Sequence, residues 1–95
     1  MNLDKTLTPA PNVISQEVGG ETVLLDLKNE NYFGLDAVGT RIWQLIQQSA
    51  DLRSIFRTLV QEYEVEEAQL QADLERLIGE LSERGLVKLQ SAEAG

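Results

Sequence analysis

The stretch from Gly20 to Gln48 constrains the fold more than any other part of the chain. Its first part, Glu21–Leu27, is rich in apolar and β-branched residues, a composition typical of a strand. A polar cluster over residues 28–31 includes two asparagines and indicates a turn. The short apolar segment Asn31–Leu35 follows as a second strand, and Asp36 then stands where a helix N-cap is expected. The stretch therefore predicts a β-hairpin that leads directly into a helix.

A further strand precedes this hairpin. Val13–Val18 is a plausible strand, and only Gly19 and Gly20 separate it from the next one. Glycine tolerates positive φ, so this pair favours a two-residue hairpin loop. The three strands are therefore predicted to form an antiparallel meander. Alternation along Glu21–Leu27 places one face against the helices and the other largely in water, without deciding which face is which.

Three helices are predicted after the strands. Apolar residues recur at helical spacing in Ala37–Gln48, in Leu52–Glu62 and in Glu67–Arg84. Asp51 is a good N-cap for the second helix, and Gly85 is a natural residue to end the third. The last two helices are joined by a tight turn, as in a helix-turn-helix. The predicted fold class is α+β, a winged helix-turn-helix with a three-stranded antiparallel sheet followed by three helices.

The chain has the length of one domain. Residues 1–12 contain both prolines and are predicted to be a flexible N-terminal lead-in. Residues 13–89 form the predicted domain, in which Leu86–Leu89 adds a short strand, and residues 90–95 are predicted to be a frayed tail. Trp43 lies beside an apolar stripe, so we expect it in the core with its indole N–H near a polar atom.

The composition excludes most kinds of catalytic site. The 95 residues include no cysteine and no histidine, which removes thiol nucleophiles, most zinc sites and most nucleophile–base pairs. Acids such as Asp73 and Glu80 share a helix face, but no glycine-rich phosphate loop accompanies them. We interpret them as a solvated face. The sequence thus predicts a protein that is not an enzyme and has no cofactor or metal.

The charge balance opposes nucleic-acid binding. The net charge is −8, from 16 acidic and 8 basic residues, whereas a nucleic-acid binder needs a positive surface. Residues 62–83 hold eight acids and a single base, Arg76. An acidic helix-turn-helix regulator is therefore the less favoured alternative. The first twelve residues show no signal pattern and no apolar run is long enough to span a membrane, so a cytoplasmic location is predicted.

The strand Asn31–Leu35 offers another kind of function. It carries no charge and no proline, the features that usually protect a sheet edge. An open edge of this kind can pair with an incoming peptide, and the side-chain pockets beside it give selectivity. If the third helix lies beside this edge, its leucines supply apolar pockets and Asp73 a negative rim. From the pattern alone, an internal or covered position of this strand is as well supported as an open edge.

A series of short motifs resembles the PqqD-like family, the leader-recognition domains of ribosomal peptide natural-product pathways, also called RiPP recognition elements. The motifs are LDL at 25–27, NYFGLD at 31–36, VG at 38–39, RIWQLI at 41–46, LVQEYEV at 59–65, Leu81, and GLV at 85–87. Together they cover about residues 12–89. Their form looks most like the discrete members found in lasso-peptide pathways. Relatives that serve pyrroloquinoline quinone and other radical-SAM pathways are the close alternative.

The resemblance implies a domain without catalysis of its own. Family members bind the leader of a precursor peptide as an added strand and present it to partner enzymes. In lasso systems these are a cysteine-protease-like leader peptidase and an ATP-dependent cyclase; in the alternative, the partner is a radical-SAM enzyme. Glu66 departs from the short capping residue expected before the third helix. The predicted peptide-binding residues are Asn31, Tyr32, Phe33, Gly34, Leu35, Leu70, Asp73, Leu74, Leu77 and Ile78.

Overall fold

The structure, a computed structural model, describes residues 3–91. Over these residues the chain forms five strands and three helices. In chain order they are β1 (Lys5–Pro9), β2 (Val13–Val18), β3 (Glu21–Asp26), β4 (Asn31–Leu35), α1 (Ala37–Gln48), α2 (Leu52–Glu62), α3 (Glu67–Glu83) and β5 (Val87–Ser91). The predicted succession of three strands and three helices is confirmed, and one further strand lies at each end.

The predicted meander is a three-stranded antiparallel sheet in the order β2-β3-β4. Gly19 and Gly20 have φ values of 61° and 84° in the two-residue loop between β2 and β3, as such tight loops require. The longer β3–β4 turn contains Glu30 at a φ of 57°. The α+β fold class predicted from the sequence is therefore confirmed.

The structure decides which face of the sheet is buried. Thr22, Leu24 and Asp26 of β3 are almost fully buried, so this face packs on the helices. The alternate residues Val23 and Leu27 are exposed. The polar residues of the buried face thus need partners within the protein.

The carboxylate of Asp26 finds its partners in the turn that leads to β4. It accepts hydrogen bonds from the Asn29 side-chain amide at 2.8 Å, from the Lys28 backbone N–H at 3.0 Å and from the side chain of Asn12. The hydrogen bond from the Asn29 side chain is the main cause that holds the pKa of Asp26 below its usual value. Asp26 thereby fixes the turn that sets the position of β4.

The N-terminal segment corrects a prediction. Residues 1–12 are predicted from the sequence to be a flexible lead-in, but β1 pairs antiparallel with β5, and Leu7 at its centre is fully buried. Strand pairing between the two ends of a chain leaves no local pattern, which is why the prediction missed it. Of the predicted tail, Gln90 and Ser91 belong to β5, and residues 92–95 lie outside the described part of the chain.

The helix ends follow the local capping chemistry. The Asp36 carboxylate accepts the N–H of Gly39 at 2.8 Å at the start of α1, whereas Glu66 makes no side-chain cap for α3. At the end of α3, Gly85 has a φ of 70° and the N–H of Leu86 donates to the carbonyl of Leu81 at 2.9 Å. This bond and the positive φ form a Schellman motif, so the predicted end of the helix at Gly85 is confirmed.

The apolar stripes of the three helices meet the buried face of the sheet in one core. Trp43 is 3% exposed, as predicted, although its indole Nε1 has no hydrogen-bond partner within residues 3–91. The core includes four residues of α3: Leu70, Leu74, Ile78 and Leu81. Among the described helices, none has the length and apolarity needed to cross a membrane.

Candidate functional site

The candidate site begins at the free edge of β4. Because the sheet order is β2-β3-β4, β4 has a neighbouring strand on one side only. Within the described part of the chain, no other strand pairs with its second side. The sequence left open whether this strand is an open edge or is instead internal or covered. In residues 3–91 it is an edge strand.

The strand register shows which backbone groups point toward this edge. The two-residue loop makes Val18 and Glu21 a mutually hydrogen-bonded pair, and β3 then bonds to β2 and to β4 through alternate residues. Phe33 lies opposite Leu24, one of the β3 residues whose backbone bonds to β4. The N–H and C=O of Phe33 are therefore used within the sheet. The N–H and C=O groups of Tyr32 and Gly34 therefore point outward. They form a row of donors and acceptors for another strand.

A groove of about 630 Å³ lies between this edge and α3. Two of its residues, Leu35 and Ile42, are each 3% exposed and form its base. Phe33 and Leu77 are half-buried at its sides. The full lining is Phe33, Gly34, Leu35, Asp36, Val38, Gly39, Ile42, Asp73, Arg76, Leu77 and Glu80. The groove thus has an apolar base next to a strand edge that is free to pair.

Helix α1 approaches β4 closely at Gly39. A Cβ at this position would lie 3.2 Å from both Cβ and Cδ2 of Leu35, closer than most such contacts. Glycine therefore allows the first turn of α1 to close one end of the groove. Asp36, three residues before Gly39, both caps this helix and lines the groove.

The face of α3 that lines the groove differs in part from the predicted one. Asp73 and Leu77 line it as predicted, together with Arg76 and Glu80. These positions follow the i, i+3, i+4, i+7 spacing of one helix face. Three other predicted residues of α3 lie in the core rather than in the groove and are at most 4% exposed: Leu70, Leu74 and Ile78.

The β4 residues also divide between the two faces of the sheet. Phe33, Gly34 and Leu35 line the groove, whereas Asn31 and Tyr32 do not. Tyr32 is 75% exposed on the opposite face, because adjacent strand residues alternate between faces. The prediction that all five residues share one strand is confirmed; their side chains do not share one pocket.

Six groove residues escaped the sequence prediction. Two of them, Asp36 and Val38, follow β4 at once, so a strand that runs directly into a capped helix is a signal that could have included them. Arg76 and Glu80 each follow a predicted residue, Asp73 and Leu77, by three positions, which is about one helical turn. The six are Asp36, Val38, Gly39, Ile42, Arg76 and Glu80.

Charges lie around the apolar base. Asp36 comes from the sheet side, Asp73 and Glu80 from α3, and the only cation of the lining is Arg76. The guanidinium of Arg76 is 3.7 Å from the Asp73 carboxylate. Asp73 also accepts a hydrogen bond from the Gln69 side chain at 3.1 Å. The groove is therefore amphipathic, with an acidic rim.

A cation also lies over the aromatic side of the groove. The Arg84 guanidinium carbon, at the end of α3, is 5.0 Å from the centroid of the Phe33 ring, within the range of a cation–π contact. This contact links the end of α3 to β4.

The opposite, outer face of the sheet carries exposed apolar side chains. Ile14, Leu25 and Tyr32 form one row across the three strands. Ile14 is 49% exposed, and Val18 and Val23 are exposed on the same sheet. Exposed apolar patches of this kind often mark interaction surfaces.

Within residues 3–91, no group of three or more metal-binding side chains occurs.

Fold and site together define a small winged helix-turn-helix domain with an open strand edge beside a helix-lined groove. Residues 21–87 match the family described as PqqD: Coenzyme PQQ synthesis protein D. This match spans more than half of the chain, so the protein belongs to the PqqD family. The family resemblance seen in the sequence motifs is confirmed.

Two solved structures share this fold. One is described as TbiB1 in complex with the TbiA(beta) leader peptide; it is 33% identical, with a TM-score of 0.81, over 85% of this chain and 94% of that chain. The other is described as lasso peptide synthetase B1 complexed with the leader peptide. It is 24% identical, with a TM-score of 0.78, over 87% of this chain and 98% of that chain, and it supports the fold. No curated protein sequence gives a significant match.

Proposed function

We propose that this protein is a non-catalytic adaptor that binds the leader segment of a ribosomally made precursor peptide as an added strand on β4. The observation that carries the proposal is the open edge of β4 directly beside the groove. A relative at 33% identity, TbiB1, is complexed with a leader peptide. That relationship supports the same use of the fold here.

An added strand would use both parts of the site. The outward backbone groups of Tyr32 and Gly34 offer hydrogen bonds that do not depend on the peptide's sequence. Alternate side chains of the peptide point toward the groove, and β4 spans about 17 Å at ~3.3 Å per residue. About two or three peptide side chains therefore face α3, where the groove provides selectivity.

The second free edge of the sheet is a poorer site. Within residues 3–91, β2 also pairs on one side only, but none of its residues lines the groove. On the buried face, Gln44 of α1 donates a hydrogen bond to Glu17 at 2.8 Å. Its central residues Ser15, Gln16 and Glu17 are polar and exposed. Polar and charged side chains protect a sheet edge against pairing. The proposal therefore assigns the peptide to β4.

The adaptor role also requires a surface for a maturation enzyme. We propose that, in the cytoplasm, the bound peptide is presented to a cysteine-protease-like leader peptidase of a lasso-type pathway, and then to a cyclase. The apolar row of Ile14, Leu25 and Tyr32, of which Ile14 and Tyr32 are exposed, supports this step, because a strand added at β4 leaves the outer face of the sheet free. Binding both partners at once raises the effective concentration of the peptide at the enzyme.

A radical-SAM enzyme is the alternative partner. The observation that favours it is the family match to PqqD, a protein of coenzyme PQQ synthesis. Pull-down of the purified peptidase and the purified radical-SAM enzyme with this protein, each with and without the peptide, separates the two. Capture of the radical-SAM enzyme alone would overturn the lasso-type assignment.

The leader-binding proposal is tested by titration followed by amide NMR. The probes are the TbiA(β) leader and the leader encoded by the short precursor gene nearest to this one. We expect saturating shifts in β4 and in the Asp73–Glu80 face of α3, with little change in β2. The emission of Trp43, which is buried in the core, should stay constant and so reports that the fold is intact. Saturable shifts confined to β2, or none with either leader, would overturn the proposal.

A further inference from the structure

The groove beside β4 carries information about the peptide itself. We propose that it selects a leader with a lysine or arginine on the side of the added strand that faces α3. The aliphatic part of that side chain would lie on the apolar base, and its cationic group among Asp36, Asp73 and Glu80. This inference rests on the proposed function and names the chemistry of its ligand.

The shape of the groove favours a side chain that is apolar along its length and charged at its end. Its base consists of the buried Leu35 and Ile42, with Phe33 and Leu77 at the sides. Carboxylates come only at the rim. Lysine and arginine pack their methylene groups on apolar surface while the charged end stays in contact with water. A short polar side chain would leave the base empty.

The charges of the lining are not balanced. Three carboxylates and one guanidinium line the groove. The guanidinium belongs to Arg76, whose side chain is 73% exposed and 3.7 Å from Asp73. Exposed pairs of this kind are weak. Even with Arg84, which lies over Phe33 outside the lining, the three carboxylates outnumber the two guanidinium groups. Glu80 makes no ion pair within residues 3–91.

The carboxylates come from both walls of the groove. Asp36 follows β4, and one of its oxygens, Oδ1, accepts the N–H of Gly39, which fixes the side chain at the start of α1. Asp73 and Glu80 lie two turns apart on α3. A cation between β4 and α3 is thus attracted from two sides. An acidic peptide side chain in the same place would be repelled.

The whole chain strengthens this preference. Its net charge of −8 attracts basic peptides over long range, which raises the association rate. Removing one partly exposed ion pair changes affinity by up to roughly fivefold. We therefore expect the loss of both α3 carboxylates to weaken binding of a basic peptide roughly tenfold.

The test is a selection from a displayed library of random 20-residue peptides. The baits are the wild-type protein, a groove variant (Asp73→Asn with Glu80→Gln), a reversed variant (Asp73→Lys with Glu80→Lys) and a matched control (Glu64→Gln with Glu83→Gln). The control removes the same charge from exposed positions outside the groove lining. Circular dichroism of each bait establishes that it is folded.

The expected result is that wild type enriches peptides with lysine or arginine at one position of the aligned set. One enriched peptide and its counterparts with methionine and with glutamate at that position are then synthesised. The roughly tenfold preference for the basic peptide should disappear in the groove variant, persist in the control and turn toward glutamate in the reversed variant. Enriched peptides without a basic position, or an equal loss in the control, would overturn this inference and leave peptide binding intact. If wild type enriches no peptide, the proposed function itself fails.

Discussion

The substitution Gly34→Pro tests the free edge of β4 without disturbing the rest of the fold. The N–H of Gly34 points away from β3, so proline removes a donor from the free edge and none from the sheet. Proline is tolerated at edge positions of this kind. A Cβ at Gly34 meets no atom within 4 Å, and its φ is not positive, so the new ring has room. We expect the folded domain to persist.

The expected loss of peptide affinity follows from the missing hydrogen bond. A backbone hydrogen bond contributes about 1 kcal/mol net, and the peptide carbonyl left without a donor costs about 1–3 kcal/mol more. The sum of about 2–4 kcal/mol corresponds to a roughly 30- to 1,000-fold weaker Kd. Isothermal titration calorimetry with a leader peptide measures this change, and a thermal melt followed by circular dichroism checks the fold.

Ser15→Pro is the matched control. By the same register, Ser15 directs its N–H to the free side of β2, so the chemical change is identical at the opposite edge. Peptide affinity should be unchanged there. Gly34→Ala, which keeps the N–H, should also bind normally. If Gly34→Pro binds as tightly as wild type, or Ser15→Pro alone loses binding, the peptide does not pair with β4. Should Gly34→Pro fail to fold, Tyr32→Pro removes the other outward N–H and decides the same question.

Three further predictions concern the groove and its supports. Leu77→Ala should weaken peptide binding with little change in Tm because Leu77 is half-buried in the groove, whereas Leu74→Ala, in the core, should lower the free energy of unfolding by about 2–5 kcal/mol. Urea denaturation measures the stability of both variants, and calorimetry measures their peptide affinity. If Leu77→Ala loses stability and Leu74→Ala loses only peptide affinity, the assignment of the two helix faces is contradicted. Gly39→Val should destabilise the fold by about 1–3 kcal/mol because its side chain meets Leu35; an unchanged urea midpoint would show that α1 does not need this close approach. The pKa of Asp26 is lowered by its hydrogen bonds, so its contribution to stability is present above the carboxyl's unfolded pKa of about 3.8 and is lost as pH falls through the lower folded pKa. Asp26→Asn should therefore flatten the acid side of a Tm-against-pH curve, and an identical curve for both proteins would refute this role.

Local chemistry let the sequence predict much of the fold. The ends of α1 and α2 follow from apolar spacing and from the capping residues Asp36 and Asp51, which act within one helical turn. The Gly19–Gly20 loop likewise acts on its immediate neighbours and so fixes the β2–β3 register. The strand β4 itself was also predictable from five consecutive residues, but their lack of charge and proline fits an internal strand as well as an open edge, and the sheet order decided between the two.

Other features depend on residues far apart in the chain, and only the tertiary structure decided them. β1 pairs with β5 across nearly the whole sequence, and neither strand carries a pattern that names its partner. The alternation in β3 gave two faces, but packing against the helices selected the one with Thr22 and Asp26 as the buried face.

The candidate site shows the same division. The predicted Asp73 and Leu77 of α3 line the groove, whereas the equally predicted Leu70, Leu74 and Ile78 lie in the core. An amphipathic stripe records which side of a helix is apolar, not which of its apolar residues reach the boundary between the core and a groove. That boundary is set by how the elements pack together, including the close approach of α1 to Leu35 at Gly39. The sequence by itself thus determined most of the elements, while tertiary packing determined that β4 is an open edge and shaped the groove beside it, because an edge and a groove are relations between elements rather than properties of any one of them.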